Sequence, residues 1–190
     1  MTVIITEQQY KRLNEIETKR KPSLGAGADH YIIPSSHNPN IVYKVGSPDI
    51  VKKWVPIFLQ NPELFPKIFK TTGQVKLDGM IFSYITIERL DTKTALDEWK
   101  MIDSICKKYL HKDFQKVVRY WNELDSSVEH DKNELSQLGG VIKKEYPKLY
   151  DAYQKFHYLI VSVYEIVPSA DIHHNQFGYD KDGVLKCLDI

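Results

Sequence analysis

The first stretch of the chain is polar, with Tyr10, Leu13 and Ile16 forming a narrow apolar stripe at three-residue spacing. Thr6 with Gln9 has the form of a capping box, so a helix is predicted over residues 7 to 19. Between Leu24 and Val45 two apolar runs, Tyr31-Ile32-Ile33 and Ile41-Val42-Tyr43-Lys44-Val45, flank the turn-forming residues Pro34 to Asn40. This is the pattern of strands separated by a loop. Ile50, Trp54, Ile57 and Phe58 repeat at helical spacing over Asp49 to Gln60, where Pro56 removes an interior hydrogen bond, so a short or kinked helix is expected. Ile68 to Lys70 and Met80 to Ile87 are predicted as strands on either side of a polar hairpin containing Gly73 and Asp78-Gly79.

From Asp91 the period changes. Apolar positions recur at 3.6-residue spacing over 94 to 110, 112 to 138 and 147 to 166, with Gly139-Gly140 and Pro147 as dividers. After Pro168 a polar loop leads to Gln176-Phe177-Gly178-Tyr179, a Lys181-Asp182-Gly183 turn and the apolar run Val184 to Leu188, which predicts a short hairpin. No internal repeat or low-complexity tract interrupts this order. The expectation is therefore an α+β chain with a β-rich part over residues 1–90 and a helical part over 91–190.

Apolar residues make up 42% of the 190 and charged residues 27%, an ordinary globular composition. The 26 basic and 25 acidic side chains are interspersed, so no strong field favours nucleic acid and none is expected as a partner. Lys11 to Lys21 and Lys52-Lys53 are short basic clusters of the kind usually found on solvated faces. Cys106 and Cys187 are the only cysteines, without CxxC spacing, so neither a disulfide framework nor a zinc site is expected. The N-terminal apolar run is too short for a secretion signal or a membrane span, which fits a cytoplasmic protein with no membrane partner.

Phosphoryl transfer from a nucleotide requires backbone amides against phosphates, a fixed cation, oxygen ligands for a metal and a carboxylate near the attacking hydroxyl. Gly25 and Gly27, in Leu24-Gly25-Ala26-Gly27-Ala28-Asp29-His30, allow close backbone approach to phosphate oxygens. Lys44 lies on a strand whose alternation sets it opposite Tyr43 and Val45. Near the end stands Asp171-Ile172-His173-His174-Asn175-Gln176-Phe177-Gly178, and beyond the predicted hairpin comes Asp189. The bland alternatives are a plain turn at the glycines, an exposed strand lysine and a polar loop after Pro168.

Taken in order, these residues resemble the protein-kinase-like superfamily, in particular its small phage-encoded kinases. That resemblance, carried by the glycine loop, Val42-Tyr43-Lys44-Val45 and the D-x-H-x-x-N-x-G-like segment from Asp171, covers the chain from about Leu24 onward. It implies a two-lobed α+β fold with a β-rich N-lobe and a minimal, truncated helical C-lobe, since the sequence reaches Ile190 directly after Asp189. It also implies nucleotide contacts from Gly25, Gly27 and Lys44, with a hinge at Ile85 to Asp91 in which Glu88 and Leu90 meet the adenine. Asp171 would orient the acceptor hydroxyl and accept its proton. Asp189, with Gln176 or Asn175, would hold magnesium on the phosphates of ATP. His173 would brace the loop, and His174 would face solvent.

Two departures matter. The segment Asp49 to Gln60 has no glutamate to pair with Lys44, and Gln176 stands where the pattern has asparagine. The implied function is an ATP- and magnesium-dependent transfer to a Ser or Thr of a bacterial host protein, in the host cytosol. The alternatives are a catalytically impaired pseudokinase that binds or inhibits a host protein and, less in keeping with the short helical part, a small-molecule phosphotransferase.

Overall fold

The computed structural model describes residues 30–35, 37–77, 80–119, 128–170 and 172–189. The helix expected over 7 to 19, the glycines Gly25 and Gly27, and Asp171 lie outside them. The described chain is mixed α+β, with a small antiparallel sheet. Contacts divide it into two units. One comprises the described residues up to Asn61 with Lys67–Arg89, and the other Pro62–Pro66 with the described part of Leu90–Ile190.

In the first unit, strands β1 (His30–Pro34), β2 (Ile41–Gly46), β3 (Ile68–Leu77) and β4 (Met80–Glu88) form one sheet in the order β1-β2-β4-β3, all neighbours antiparallel. Between β2 and β3 the chain makes helix α1 (Pro48–Gln60). Ser47 starts it by accepting a hydrogen bond from Ile50 N–H, and Pro48 occupies the first turn, where a missing N–H costs nothing. Pro56 is accommodated because it falls on the exposed side, while Val51, Trp54 and Phe58 are buried on the other. Asn61 closes the helix through its backbone N–H and its side-chain amide, both donated to Ile57 C=O.

Strand β3 is longer than the sequence pattern predicts. The polar run through Gly73 continues the strand instead of forming the hairpin loop, and its pairing extends from Ile68↔Ile87 to Leu77↔Met80. A Cβ on Gly73 would stand 2.0 Å from the Tyr84 ring, so the ring of Tyr84 occupies the space a side chain would fill. The cross-strand aromatic supplies the burial that glycine lacks.

The second unit is helical: α2 (Thr92–Leu110), α3 (Phe114–Arg119), α4 (Val128–Glu145), a single 3-10 turn (Pro147–Leu149) and α5 (Tyr150–Ile166), followed by strands β5 (Phe177–Tyr179) and β6 (Leu185–Cys187). Asp91 caps α2 by accepting from Lys93 and Thr94 N–H and from the Thr94 hydroxyl at 2.6 Å. Trp99 is the centre of the core, with ring centroids of Phe114, Phe156 and Phe177 at 4.8, 5.4 and 5.3 Å. These contacts join α2, α3, α5 and the hairpin. Both cysteines are free and buried, and burial pushes the Cys106 thiol up to about 12.

Gly139-Gly140 does not divide two helices, as the sequence suggested; α4 runs through both. The reason is packing. The Tyr153 ring of α5 lies 3.0 Å from where a Gly139 Cβ would be, and the Tyr153 hydroxyl donates to Leu135 C=O at 2.7 Å. Close helix approach at Gly139 outweighs the roughly 1 kcal/mol propensity cost of a helical glycine. Among the described residues no helix is long and apolar enough to cross a membrane.

Candidate functional site

Lys44 is placed by the β2–β4 register, directly across from Ile85, on the sheet face that receives α1. Tyr43 and Val45 take the opposite face with Tyr84 and Thr86, Tyr43 meeting Tyr84 edge-on at 5.7 Å. Burial raises the pKa of the Tyr84 hydroxyl, which has no hydrogen-bond partner among the described residues, and proximity to Tyr43 raises it further. Lys44 itself is completely buried. Its Nζ lies 3.9 Å from the centroid of the Trp54 ring and 5.3 Å from that of Phe58. The helix after the lysine strand thus meets the ammonium with aromatic faces.

Glu88, expected at a nucleotide hinge, ends β4 and ties it to the start of β3. Its carboxylate accepts from Lys67 N–H at 2.7 Å, and its own N–H donates to Lys67 C=O. Leu90 belongs to the second unit, where its Cβ lies only 2.5 Å from where a Gly178 Cβ would be. Glycine at 178 permits this contact, and the adjacent Asp91 and Tyr179 exchange two backbone hydrogen bonds of 2.7 and 3.1 Å. The Tyr179 hydroxyl donates to Glu98 at 2.5 Å, and burial together with this carboxylate raises its pKa. The hairpin is thereby anchored to α2.

The loop before β5 is internally closed. Gln176 Oε1 accepts from His173 N–H at 2.5 Å, and Gln176 N–H donates to His173 C=O at 3.1 Å. His173 Nδ1 lies 3.0 Å from Gln115 Nε2 on α3, which braces the loop against the helices. Asn175 and His174 are exposed. Beyond the hairpin, Leu188 N–H donates to Gln176 C=O at 2.6 Å, so the chain leading into Asp189 runs beside the loop. Cys187 Sγ donates to the Asp189 carbonyl at 2.8 Å. Gln176, Asn175 and Asp189 therefore belong to one local assembly.

Further contacts hold the hairpin. Lys186, largely buried, donates to Pro62 C=O at 2.9 Å and lies 3.3 Å from Asp180, while Cys187 N–H donates to Leu64 C=O at 2.8 Å. These account for the inclusion of Pro62–Pro66 in the second unit. A cavity of about 460 Å³ opens beside the loop, lined by Trp99, Lys100, Asp103, Gln115, Lys116 and His174 among others.

Sequence reasoning missed Trp54, Phe58 and Gln115. The spacing of Trp54 and Phe58, four residues apart on a helix following the Lys44 strand, was the available signal for the first two. Nothing local marks Gln115, whose role depends on a contact with a residue far along the chain. Oxygen donors suited to a hard divalent cation are present at Asp189, Asn175 and Gln176, although Gln176 Oε1 already accepts one backbone hydrogen bond. Among the described residues no group of three or more His, Cys, Asp or Glu side chains is gathered. No protein-family model matches the sequence, and neither does any curated protein.

Proposed function

We propose that the chain is a kinase-like phosphotransferase that binds ATP with magnesium and modifies a Ser or Thr of a protein, in the manner of small phage-encoded kinases acting on a bacterial host. The observation that carries this reading is the Leu188 to Gln176 hydrogen bond of 2.6 Å. It ties the polar loop to the segment entering Asp189. Two carboxylates flanking one hairpin, Asp171 before and Asp189 after, are what acceptor activation and metal binding require.

Asp189 would hold magnesium, helped by Asn175 or the second lone pair of Gln176, and the metal would neutralise charge on the transferring phosphate. Asp171 would accept the proton of the acceptor hydroxyl. Lys44 would supply a fixed positive charge to the nucleotide phosphates. The brace from Gln115 to His173 supports a loop held rigid before substrate arrives, which is the condition for orientation to lower the barrier. The sheet supports the same reading, since the lysine strand is an inner one and leads directly into a helix packed on it.

A second reading, a pseudokinase that binds a host protein without transferring phosphate, is favoured by one observation. The Gln176 side chain is engaged in closing its own loop. Labelled ATP with magnesium and a host-protein extract separates the two. Transfer abolished by Asp171→Ala supports the enzyme, whereas nucleotide binding without transfer supports the pseudokinase.

A further inference from the structure

The cavity beside the loop before β5 carries an uneven charge. Helix α2 gives it Lys100, Asp103 and Lys107, at spacings that place them on one side of the helix, while Lys116 comes from α3 and Asp113 from the residue before it. Three ammonium groups thus meet two carboxylates, with His174 of the loop beside them. Both carboxylates are already engaged. Asp103 accepts from Lys107 Nζ at 2.6 Å and from Phe114 N–H at 2.7 Å, and Asp113 lies 3.0 Å from Lys107 Nζ and 3.5 Å from Lys116 Nζ. The bonds to Asp103 first and Asp113 second push Lys107 up to about 12, and the bond from Lys107 holds Asp113 below the ordinary aspartate value, so both stay charged near neutral pH.

Lys107 is thereby divided between two partners. Lys116 shares Asp113 at the longer distance, and none of the described residues forms an ion pair with Lys100. The surplus positive charge lies with Lys100 and Lys116, both exposed. We propose that this cavity is an acceptor subsite that receives an acidic segment of the protein whose Ser or Thr is modified. The proposal rests on the kinase-like reading. The cavity volume of about 460 Å³ falls within the roughly 300–1,000 Å³ of ligand sites. Lysine ammonium groups are point charges on flexible stems, which suits carboxylates arriving on a chain without one fixed geometry. Gln115 also lines the cavity while it meets His173 Nδ1 at 3.0 Å, so a segment seated there would lie against the side chain that braces the loop. His173 stands two residues after Asp171 in the sequence.

Binding and transfer are measured separately on the full chain. Fluorescence anisotropy compares labelled peptides in which one Ser is flanked by glutamates, by glutamines or by lysines. The glutamate peptide should bind about tenfold more tightly than the glutamine peptide, and salt should weaken it, because exposed charges are screened. Lys100→Glu combined with Lys116→Glu should weaken the glutamate peptide by about tenfold or more, whereas the same change of charge at Lys52 and Lys53 of α1 should leave it within about threefold. If the reversed pair does not fold, Lys100→Ala with Lys116→Ala serves in its place, with a loss of about threefold expected. In transfer from labelled ATP with magnesium, the cavity pair should raise KM for the glutamate peptide and leave kcat unchanged, since neither lysine touches the reacting atoms.

Equal binding of the glutamate and glutamine peptides, or equal weakening by the Lys52 and Lys53 pair, would overturn the acidic subsite even where phosphate is transferred. Displacement of the peptide by single-stranded RNA at lower concentration would overturn it as well, and would assign the lysines to nucleic acid. Glutamate-peptide binding that is lost in the cavity pair, without transfer to that peptide by wild type, would overturn the acceptor role together with the kinase-like function and leave a docking site for an acidic partner.

Discussion

The Lys44 ammonium sits 3.9 Å from the centre of the Trp54 ring, and its side chain is entirely removed from solvent. A buried lysine is expensive to desolvate, so its surroundings constrain which substitutions the site tolerates. Methionine preserves the length of the stem and makes favourable sulfur–aromatic contacts of about 0.3–1.5 kcal/mol. Lys44→Met is therefore expected to lose less stability than the charge reversal Lys44→Glu. Glutamate would set a carboxylate against the negative faces of two rings, and Lys44→Glu should lose roughly 3 kcal/mol or more. Urea unfolding of the two variants checks the contrast, and equal losses would show that the rings do not discriminate charge.

Adjacent glycines in α4 should respond in opposite directions. Nothing lies within 4 Å of a Cβ added at Gly140, so Gly140→Ala gains helix propensity and should stabilise by about 0.5–1 kcal/mol. At Gly139 the new methyl would press on Tyr153, whose hydroxyl is fixed to Leu135 C=O. Gly139→Ala is expected to gain nothing, or to lose up to about 1 kcal/mol as the ring is displaced. Thermal melts of both single variants decide it.

The Asp91 cap gives α2 a pH dependence. Hydrogen bonding to the Thr94 side chain first, and to backbone N–H groups after it, holds the Asp91 carboxyl below the ordinary aspartate value. Its folded-state pKa is therefore lower than its unfolded one. The stabilisation is fully present above the unfolded value and is lost as pH falls through the depressed folded value. Because the residue is exposed, the electrostatic part is small and the cap hydrogen bonds dominate. Asp91→Ala should cost about 1 kcal/mol near neutral pH, and the gap from wild type should narrow in acid. A gap that stays constant down to acid pH would contradict this account of the cap.

Much of the fold is written in local pattern. The periodicity of Ala95, Trp99, Ile102 and Cys106 marks α2, and the alternation around Lys44 sets its face of the sheet. What local pattern misses depends on distant partners. Gly73 looks like a turn residue until Tyr84 covers it from the next strand, and Gly139-Gly140 looks like a break until Tyr153 packs there. Pro62–Pro66 follows α1 in the chain yet joins the second unit through Leu64 and Pro62, which accept from Cys187 and Lys186. At the candidate site, the polar loop and the short hairpin after it were legible from residue types. The aromatic surroundings of Lys44 and the self-closing side chain of Gln176 were not, because each is decided by orientation.

The kinase-like function stands or falls on nucleotide binding. Titration of ATP with magnesium into wild type and Lys44→Met measures it most directly. Saturable binding to wild type that requires magnesium and weakens at least about tenfold in the folded Lys44→Met protein is the predicted result. Absence of binding at millimolar nucleotide, even with manganese in place of magnesium, or equal binding by both proteins, would contradict it.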